Sequence, residues 1–412
     1  MEFKTLGLSA PLLKALEDEL YRIPTPIQEK AIPAALVGRD VLGIAQTGTG
    51  KTASFAVPIL QNLSKKEQNH GKRKIRSLVL TPTRELAIQI QESFTSYGKY
   101  LPIKTTVIFG GVSQIPQVKK LNAGVDVLIA TPGRLVDLIN QGYISLSSIE
   151  IFVLDEADRM LDMGFIHEVR RIIKLLPAKK QTMFFSATMP KEITRIVEDL
   201  LHDPVQISIT PAASTVDAVE QSIYFVDTNH KVQLLVDILV ESGLESVLVF
   251  TRTKHGANKV VKDLLSRDIV AQAIHGNKSQ NRRQSALKNF KDKKTQVLVA
   301  TDIASRGIDI NELSCVINYD LPEVPETYVH RIGRTGRAGQ TGVAISFCNF
   351  QDKELLKNIE KLIRKKIDVI DNLKYPMIDM KPKKPKQAIQ KQNKEGAQKK
   401  GNKKRKRYSK TV

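Results

Sequence analysis

Residues 40–52, DVLGIAQTGTGKT, decide the fold class of this chain. The stretch begins with an apolar run typical of a buried strand, passes through a glycine-rich turn and ends where a helical pattern starts. A strand, a turn of this kind and a helix open a βαβ unit of a parallel sheet. Gly48 and Gly50 would let backbone N–H groups turn inward toward an anion at the positive end of the helix. The stretch therefore predicts an α/β fold with a phosphate-binding loop.

The same alternation of short apolar runs and longer helical stretches continues on both sides of this segment. The runs are almost wholly apolar, as expected for parallel strands that are covered on both faces. Helical stretches such as 86–97 and 254–266 lie between them, which predicts two doubly wound parallel sheets. The predicted strands are 40–44, 77–80, 105–109, 125–129, 151–154, 182–185, 246–250, 270–274, 296–299, 315–318 and 343–347.

A break in this pattern near residues 207–219 predicts the domain organisation. The segment TPAAST at 210–215 has the composition of a linker. We predict one lobe at 1–208, a linker at 209–218, a second lobe at 219–370 and a tail at 371–412. The tail is polar and Lys-rich, so it cannot bury enough apolar surface to fold alone and is expected to be disordered.

The charge of the chain indicates polyanionic partners. Its 412 residues include 64 Lys and Arg against 43 Asp and Glu, a net charge of +21. Such an excess favours nucleic acid or an anionic membrane surface as partner. Residues 381–412 carry +13 of that charge, which leaves +8 for the rest of the chain. The tail is therefore expected to bind nucleic acid without sequence preference, although a solvated tail without a function is the alternative.

Other features of the sequence predict a location in the cytoplasm. No run of 18 or more apolar residues is present, so no transmembrane helix and no membrane partner are expected. The N-terminal residues lack the basic and apolar regions of a secretory signal. Cys315 and Cys348 each lie in an apolar run, which predicts two buried thiols rather than a disulfide or a metal site.

The glycine-rich turn fits the phosphate-loop pattern except that Ala45 replaces its first glycine. Lys51 would neutralise the β- and γ-phosphates of a nucleotide, and the Thr52 hydroxyl would ligate Mg²⁺. The alternative is a glycine-rich turn that binds nothing. The predicted nucleotide-binding residues of the loop are Gln46, Thr47, Gly48, Thr49, Gly50, Lys51 and Thr52.

The acidic segment DEAD at 155–158 follows the apolar run 151–154 directly. In phosphate-loop ATPases the acid that holds the metal follows a strand in this way. We therefore predict that Asp155 holds Mg²⁺, directly or through water, and that Glu156 orients and deprotonates the attacking water. Alone, such a tetrapeptide would more often be a helix N-terminus that carries favourable charge.

The segment HRIGRTGR at 330–337 places three arginines around two glycines. Such a segment is too charged to pack in a hydrophobic core, and it is well suited to bind an anion. Arg334 and Arg337 would reach the γ-phosphate only when the two lobes close, as an arginine finger does. A basic surface loop is the alternative. His330 is left out of the predicted catalytic set because a lone histidine is more often structural.

The motifs together resemble the DEAD-box RNA helicases of superfamily 2, and the resemblance runs from Phe3 to about residue 375. Each motif of the family occurs once and in order, and phrases at 158–167 and 248–258 are most similar to the bacterial RhlE-type branch. Leu20 departs from the glycine that commonly precedes Tyr21, and Ser305 replaces a frequent alanine. The matching segments are 21–28, 45–52, 82–87, 110–111, 131–134, 155–158, 186–188, 249–252, 280–283, 300–309 and 330–337.

The resemblance implies two tandem RecA-like lobes, ATP and Mg²⁺ as cofactors, and RNA as partner. It implies that Gln28 reads adenine, that Phe3 or Tyr21 contacts the base, and that Asp309 holds the ribose. A carboxamide offers one donor and one acceptor, which suits the adenine edge. Ser186 and Thr188 would link the ATP site to the RNA surface, unless they only make hydrogen bonds at a strand end.

The resemblance also implies a set of RNA contacts at the ends of strands. A hydroxyl and a guanidinium at such a position can bind phosphate, which positions a strand without reading its sequence. The implied RNA-binding residues are Arg84, Gly110, Gly111, Thr131, Arg134, Arg252, Arg283, Thr301 and Gly307.

These observations predict an ATP-dependent RNA helicase that unwinds short duplexes or remodels ribonucleoproteins, in ribosome assembly or RNA turnover. Ribosomal precursors or RNA-decay complexes are the partners that the branch resemblance implies. An ATP-gated RNA clamp that never unwinds requires the same motifs. A nucleotide-binding scaffold without hydrolysis and a DNA helicase are two further functions to be distinguished by experiment.

Overall fold

Two seven-stranded sheets form the frame of the chain in a computed structural model, which describes residues 2–46, 48–65, 73–209, 219–302, 313–336, 342–371 and 373–378. Every described pair of neighbouring strands is parallel, as in the pairing of Val41 with Met183. Both sheets and the helices that cover them belong to one compact unit, residues 1–378.

The first sheet has the strand order β3-β4-β2-β5-β6-β1-β7. Its strands are β1 Val41–Ile44, β2 Ser77–Leu80, β3 Thr105–Ile108, β4 Val127–Ala130, β5 Ile151–Leu154, β6 Gln181–Ser186 and β7 Val205–Ser208. Its helices are α1 Ala10–Asp18, α2 Pro26–Leu36, α3 Lys51–Ser64, α4 Arg84–Tyr97, α5 Ile115–Asn122, α6 Pro132–Asn140, α7 Ala157–Asp162, α8 Ile166–Lys174 and α9 Lys191–Leu200, and a short 3₁₀ helix, Phe3–Leu6, precedes them.

The second sheet has the order β10-β11-β9-β12-β13-β8-β14, which repeats the order of the first sheet when its strands are counted from β8. Its strands are β8 Val219–Phe225, β9 Val247–Phe250, β10 Ala271–Ile274, β11 Val297–Ala300, β12 Cys315–Asn318, β13 Gly342–Cys348 and β14 Asp368–Val369. Its described helices are α10 Lys231–Glu241, α11 Lys254–Leu265, α12 Gln280–Lys291, α13 Pro325–Ile332 and α14 Lys353–Ile363.

The strands read as continuous apolar runs because both faces of each sheet are buried. Phe152 and Val153 are neighbours in β5, yet they enter hydrophobic clusters on opposite faces of the first sheet. Helices α1–α4 cover one face and α5–α9 the other. This arrangement places the carboxyl ends of all strands of a sheet on one edge, where ligands bind in folds of this type.

Polar residues that follow the strands also start the helices. The hydroxyl of Thr83 accepts a hydrogen bond from the Leu86 amide at the start of α4. Thr253 does the same for the Gly256 amide at the start of α11. A side-chain cap of this kind satisfies one of the free N–H groups of the first turn. Each strand-end motif therefore fixes the direction in which the next helix leaves the sheet.

The predicted fold class of two tandem doubly wound α/β lobes is confirmed. Strands β7, β8 and β14 lie outside the predicted set, because polar residues such as Gln206 and Glu220 interrupt the apolar runs of β7 and β8 and β14 has only two residues. The lobe limits 1–208 and 219–370 stay predictions, and linker residues 210–218 lie outside the described residues.

Described residues beyond the predicted tail boundary at residue 371 contact the second lobe. The Tyr375 ring stacks on His230 with 5.7 Å between ring centroids, and the Lys374 Nζ donates to the Asp237 carboxylate at 2.5 Å. The compact unit therefore includes residues up to Ile378, and the limits of the tail stay a prediction. Residues 379–412 lie outside the described residues. Among the described residues, no helix is long and apolar enough to cross a membrane.

Candidate functional site

Residues at the start of α2 make hydrogen bonds to the phosphate loop. The Thr25 hydroxyl donates to the Thr49 carbonyl at 2.7 Å. The Gln28 Nε2 donates to the Gly50 carbonyl at 3.1 Å, and its Oε1 accepts from the Thr25 amide at 2.9 Å. Gly50 has a φ of 92°, and a Cβ there would lie 2.3 Å from Gln28 Nε2. Position 50 therefore requires glycine for both its backbone conformation and its close packing.

Lys51 lies inside the loop, only 7% exposed, and its Nζ donates to the Ala45 carbonyl at 2.9 Å. The ammonium group has two further N–H donors, which suit phosphate oxygens. Thr49 donates from its hydroxyl to the Gln46 carbonyl at 2.8 Å, which tightens the turn. Thr52 is half-buried in the first turn of α3. Thr47, predicted to belong to the same loop, lies outside the described residues.

The Asp155 carboxyl is buried at the end of β5, and burial raises its pKa to about 7. The nearby Lys51 amine opposes this rise in the Asp155 pKa, whereas Glu156 adds to it. Within the described part of the chain, Asp155 Oδ1 has no hydrogen-bond partner. A buried carboxylate oxygen left over beside a phosphate loop fits a Mg²⁺ ligand, because Mg²⁺ is usually held by one or two carboxylates together with phosphate oxygens and water.

Glu156 makes an ion pair that the sequence did not reveal. Its backbone has a φ of 54°, in the left-handed region, and its Oε2 accepts from the Arg159 Nη1 at 2.5 Å. Both side chains are buried. No sequence signal identified Arg159, because an arginine in a short helix is usually a surface residue.

Ser186 and Thr188 are joined to Asp158 of the acidic segment. The Asp158 Oδ2 accepts from the Thr188 amide and hydroxyl, each at 2.9 Å. The Ser186 Oγ accepts from the Asp158 amide at 3.3 Å and donates to the Thr188 carbonyl at 2.8 Å. The two predicted coupling residues and the acidic segment therefore form one hydrogen-bonded unit.

Arg334 approaches this unit from the second lobe. It is 5% exposed and lines a cavity of about 330 Å³ together with Gln46, Asp158 and Thr188 of the first lobe. His330 lines the same cavity. The structure thus brings residues that lie far apart in sequence to one space between the sheets. Arg337 and Asp309, the other predicted ATP contacts from the second lobe, lie outside the described residues.

Arg331 has a different position from its neighbour Arg334. Its Nε and Nη2 donate to the two carboxylate oxygens of Asp302 at 2.6 and 2.8 Å. Its Nη1 donates to Asn318 Oδ1 at 3.0 Å, and its guanidinium lies over the Phe250 ring. Arg331 is therefore a buried structural residue that connects the ends of β9, β11 and β12. Sequence reasoning could not separate it from the anion-binding arginines of the same segment.

A second cavity between the sheets, about 520 Å³, brings together most of the predicted RNA contacts. A Cβ at Gly111, whose φ is 77°, would lie 2.2 Å from Arg84 Nη1, so the Arg84 guanidinium occupies the space of the missing side chain. The Arg134 Nη2 donates to the Val112 carbonyl at 3.1 Å, while its Nη1 is buried with no hydrogen-bond partner among the described residues. The predicted RNA contacts that line this cavity are Arg84, Gly110, Thr131, Arg134 and Arg283.

At this cavity, Glu85 of the first lobe contacts residues of the second lobe. Its Oε1 accepts from the Gln280 Nε2 at 2.9 Å and lies 3.1 Å from the Arg283 Nη2. All three side chains are largely buried, and burial lowers the pKa of Arg283 while Glu85 opposes this change. The sequence signal for Glu85 was missed because an acidic residue in the first turn of a helix is usually explained by the helix dipole.

Two predicted RNA contacts lie apart from this cavity. The Arg252 Nη2 donates to the Asp352 carboxylate at 2.9 Å and to the Leu321 carbonyl at 3.3 Å. Thr301 is half-buried at the end of β11. Gly307 lies outside the described residues.

The predicted base-contacting residues lie beside the start of α2. Phe3 and Tyr21 are in edge-to-face contact, with 5.9 Å between their ring centroids. They line a cavity of about 390 Å³ with Leu20 and Arg22. Gln28 is 1% exposed, and its amide group already makes two hydrogen bonds within the protein.

Comparison with known proteins agrees with this arrangement. Residues 25–196 match the DEAD/DEAH box helicase family and residues 230–339 match the helicase conserved C-terminal domain. The chain is 41% identical to the DEAD-box ATP-dependent RNA helicase CshA of Geobacillus kaustophilus, over 92% of this chain and 79% of that protein. It is 42% identical to RhpA of Helicobacter pylori, over 90% of this chain and 74% of that protein.

A solved structure is also similar, that of Saccharomyces cerevisiae Dbp5 bound to RNA and ADP BeF3. It is 31% identical, with a TM-score of 0.76, and the match covers 90% of this chain and 95% of that chain. The similarity to CshA and RhpA does not support the more specific assignment to an RhlE-type branch. The chain belongs to the DEAD-box family and is an ATP-hydrolysing RNA helicase.

Proposed function

We propose that this helicase couples ATP hydrolysis to closure of its two lobes around a single RNA strand, and that closure separates short duplexes locally. The observation that carries the proposal is the cavity shared by Arg334 of the second lobe and Gln46, Asp158 and Thr188 of the first. An anion bound there would be held by both lobes at once, so its hydrolysis and release would let the lobes part.

In this mechanism the ATP site uses residues from both lobes. Lys51 neutralises the β- and γ-phosphates, and Glu156 takes a proton from the attacking water. Thr52 and Asp155 would hold Mg²⁺, which would neutralise charge on the phosphate oxygens. Arg334 and Arg337 stabilise the charge that develops in the transition state, a contribution of roughly 10³–10⁵ in rate for arginine fingers.

The nucleotide base and the coupling to RNA depend on residues of the first lobe. Gln28 reads adenine, Phe3 or Tyr21 contacts the base, and Asp309 of the second lobe holds the ribose. Because Gln28 also holds the phosphate loop, adenine binding would change the hydrogen bonds of the loop. Ser186 and Thr188 carry the change onward through Asp158.

RNA would lie in the larger cavity between the lobes, where guanidinium and hydroxyl groups from both sheets face each other. The similar Dbp5 structure is bound to RNA, which supports RNA as the ligand. Such contacts hold phosphates and are independent of sequence. The proposed RNA surface also includes Gly110, Gly111, Thr301, Gly307 and Arg252. Ribosome assembly or RNA turnover is the proposed setting of this activity.

Separation of a fluorescently labelled RNA duplex, followed with ATP and with a non-hydrolysable analogue, tests this function. We expect ATP-dependent separation of RNA duplexes and weaker activation of hydrolysis by DNA. A clamp without unwinding activity would instead retain single-stranded RNA in the presence of ATP and leave duplexes intact. Hydrolysis activated equally by DNA would favour the DNA helicase.

A further inference from the structure

Several basic side chains lie near a buried histidine at the end of β10. They lie outside the cavity in which RNA is proposed to bind. His275 is 2% exposed, and its Nε2 lies 3.0 Å from Asn258 Oδ1, an arrangement in which Nε2 carries the proton. Burial lowers the pKa of His275, and the nearby charges of Lys278, Lys254, His255 and Arg283 lower it further. Basic side chains therefore lie close enough to the ring to act on it electrostatically.

Three of these basic residues reach this position from two separate segments. Lys254 and His255 are the first residues of α11, which follows β9. Lys278 lies in the loop between β10 and α12. Strands β9 and β10 both pair with β11, so their carboxyl ends lie on one edge of the sheet. We call Lys254, His255 and Lys278 the basic patch.

The basic patch adjoins the proposed RNA surface on two sides. Gly276 and Arg283 line the cavity between the lobes, and they flank Lys278 in the sequence. Thr301, a proposed RNA contact, ends β11 between the two strands that carry the patch. The side chains of Lys254 and His255 are exposed, and Lys278 is partly exposed. An RNA strand that leaves the cavity along this edge of the sheet would therefore contact the basic patch next.

Electrostatics indicates what the patch would bind. Like charges brought together by folding repel each other, and a polyanion that neutralises them relieves this repulsion. The amide groups at the start of α11 add partial positive charge at the same place. We propose that the RNA-binding surface continues from the cavity onto the basic patch, where Lys254 and Lys278 hold backbone phosphates of the strand. The inference rests on the proposed function, because it extends the RNA surface of the same site.

A matched pair of double variants of the full chain tests the basic patch. Lys254→Gln with Lys278→Gln removes two charges from the patch. Lys259→Gln with Lys262→Gln removes two exposed charges from the same helix α11, about 7 and 12 Å further along its axis than Lys254. Binding of a fluorescein-labelled oligouridine is measured by anisotropy over a range of salt concentrations. The two double variants have the same net charge, so a general loss of positive charge affects them equally.

We expect the patch variant to bind the oligouridine more weakly and with a flatter salt dependence than the wild type. Each lost phosphate contact on a single strand lowers the slope of log K against log salt by about 0.7, so the loss is about 1.4 for two contacts. The control variant should keep the wild-type slope. Equal slopes for the two double variants would overturn the basic patch alone, whereas a wild type that fails to bind the oligouridine would overturn the proposed RNA function and the patch together.

Discussion

Gln280 of the second lobe donates a hydrogen bond to Glu85 of the first, with 2.9 Å between Nε2 and Oε1. The same carboxylate oxygen lies 3.1 Å from the Arg283 guanidinium. Glu85 immediately follows Arg84, and Arg283 lies three residues after Gln280, so this contact joins two segments that both line the proposed RNA cavity. The lobes therefore meet through a buried ion pair at the place where RNA is proposed to bind.

Removal of the Glu85 charge is expected to weaken activation by RNA. In Glu85→Gln the shape is kept, but the Arg283 guanidinium becomes a largely buried cation without its counter-ion. Breaking a buried pair by removing one partner costs up to about 3–5 kcal/mol. Because the Arg283 guanidinium keeps some contact with solvent, we expect about 1.4 kcal/mol of this cost, which raises the RNA concentration that gives half-maximal ATPase stimulation roughly tenfold. Steady-state ATPase titrations with single-stranded RNA measure this change.

The control for this prediction is Glu92→Gln, an exposed residue of the same helix α4. It removes the same charge without touching the second lobe, so its titration curve should match the wild type. A Glu85→Gln protein with a wild-type or lower half-maximal concentration would show that the inter-lobe pair does not support RNA binding.

Arg334→Ala is expected to abolish most of the RNA-stimulated hydrolysis of ATP. The residue lines the cavity that contains the acidic segment, and arginine fingers contribute roughly 10³–10⁵ to the rate. Steady-state kcat at saturating RNA should fall by about a thousandfold or more. Arg267→Ala, an exposed arginine that follows α11, is the matched control. Stimulated hydrolysis near the wild-type rate in Arg334→Ala would contradict coupling through lobe closure.

Leu20→Gly is expected to stabilise the first lobe. Leu20 has a φ of 61° and is 78% exposed, so its side chain gains little from packing. The left-handed conformation costs a residue with a Cβ about 1–2 kcal/mol, and part of this gain is offset because glycine increases the entropy of the unfolded chain. Urea unfolding should show a gain of about 0.5–1 kcal/mol. Leu20→Ala keeps the Cβ and should show no such gain; equal stability of the two variants would exclude backbone strain at this position.

The thiols of Cys315 and Cys348 are expected to be unreactive in the folded protein. Burial raises the pKa of each thiol to about 12, and both residues are completely buried. The unfolded thiols ionise near pH 8.5, so these groups should lower stability as pH rises from about 8.5 toward 12 and have no effect below that range. Thiol labelling at pH 8 should require denaturant. Rapid labelling of the native protein would contradict the burial.

The sequence was sufficient to predict the two sheets because buried parallel strands are apolar throughout. Residues 151–154 show this pattern, and the DEAD segment after them lies where the pattern predicts. Strands β7 and β8 were not predicted, because polar residues such as Gln206, Glu220 and Gln221 interrupt their apolar runs. The period of the apolar residues alone does not separate such strands from loops.

The site was predicted less completely than the fold, because its partners are far apart in sequence. Residue type and motif context predicted Lys51, Asp155 and Arg334 as site residues. The pairing of Glu85 with Gln280 joins residues 195 positions apart, and no local pattern specifies such a contact. The same holds for Asp302, which the sequence places in a motif and the structure pairs with Arg331.

Steady-state ATP hydrolysis with and without single-stranded RNA, for the wild type and Glu156→Gln, tests the central claim most directly. The substitution keeps the side-chain shape and its capacity to accept from Arg159, but it removes the proposed base. We predict RNA-stimulated hydrolysis in the wild type and its loss in Glu156→Gln, while the variant still binds ATP and RNA. Stimulated hydrolysis that survives in Glu156→Gln, or a wild type that RNA does not stimulate, would contradict the account.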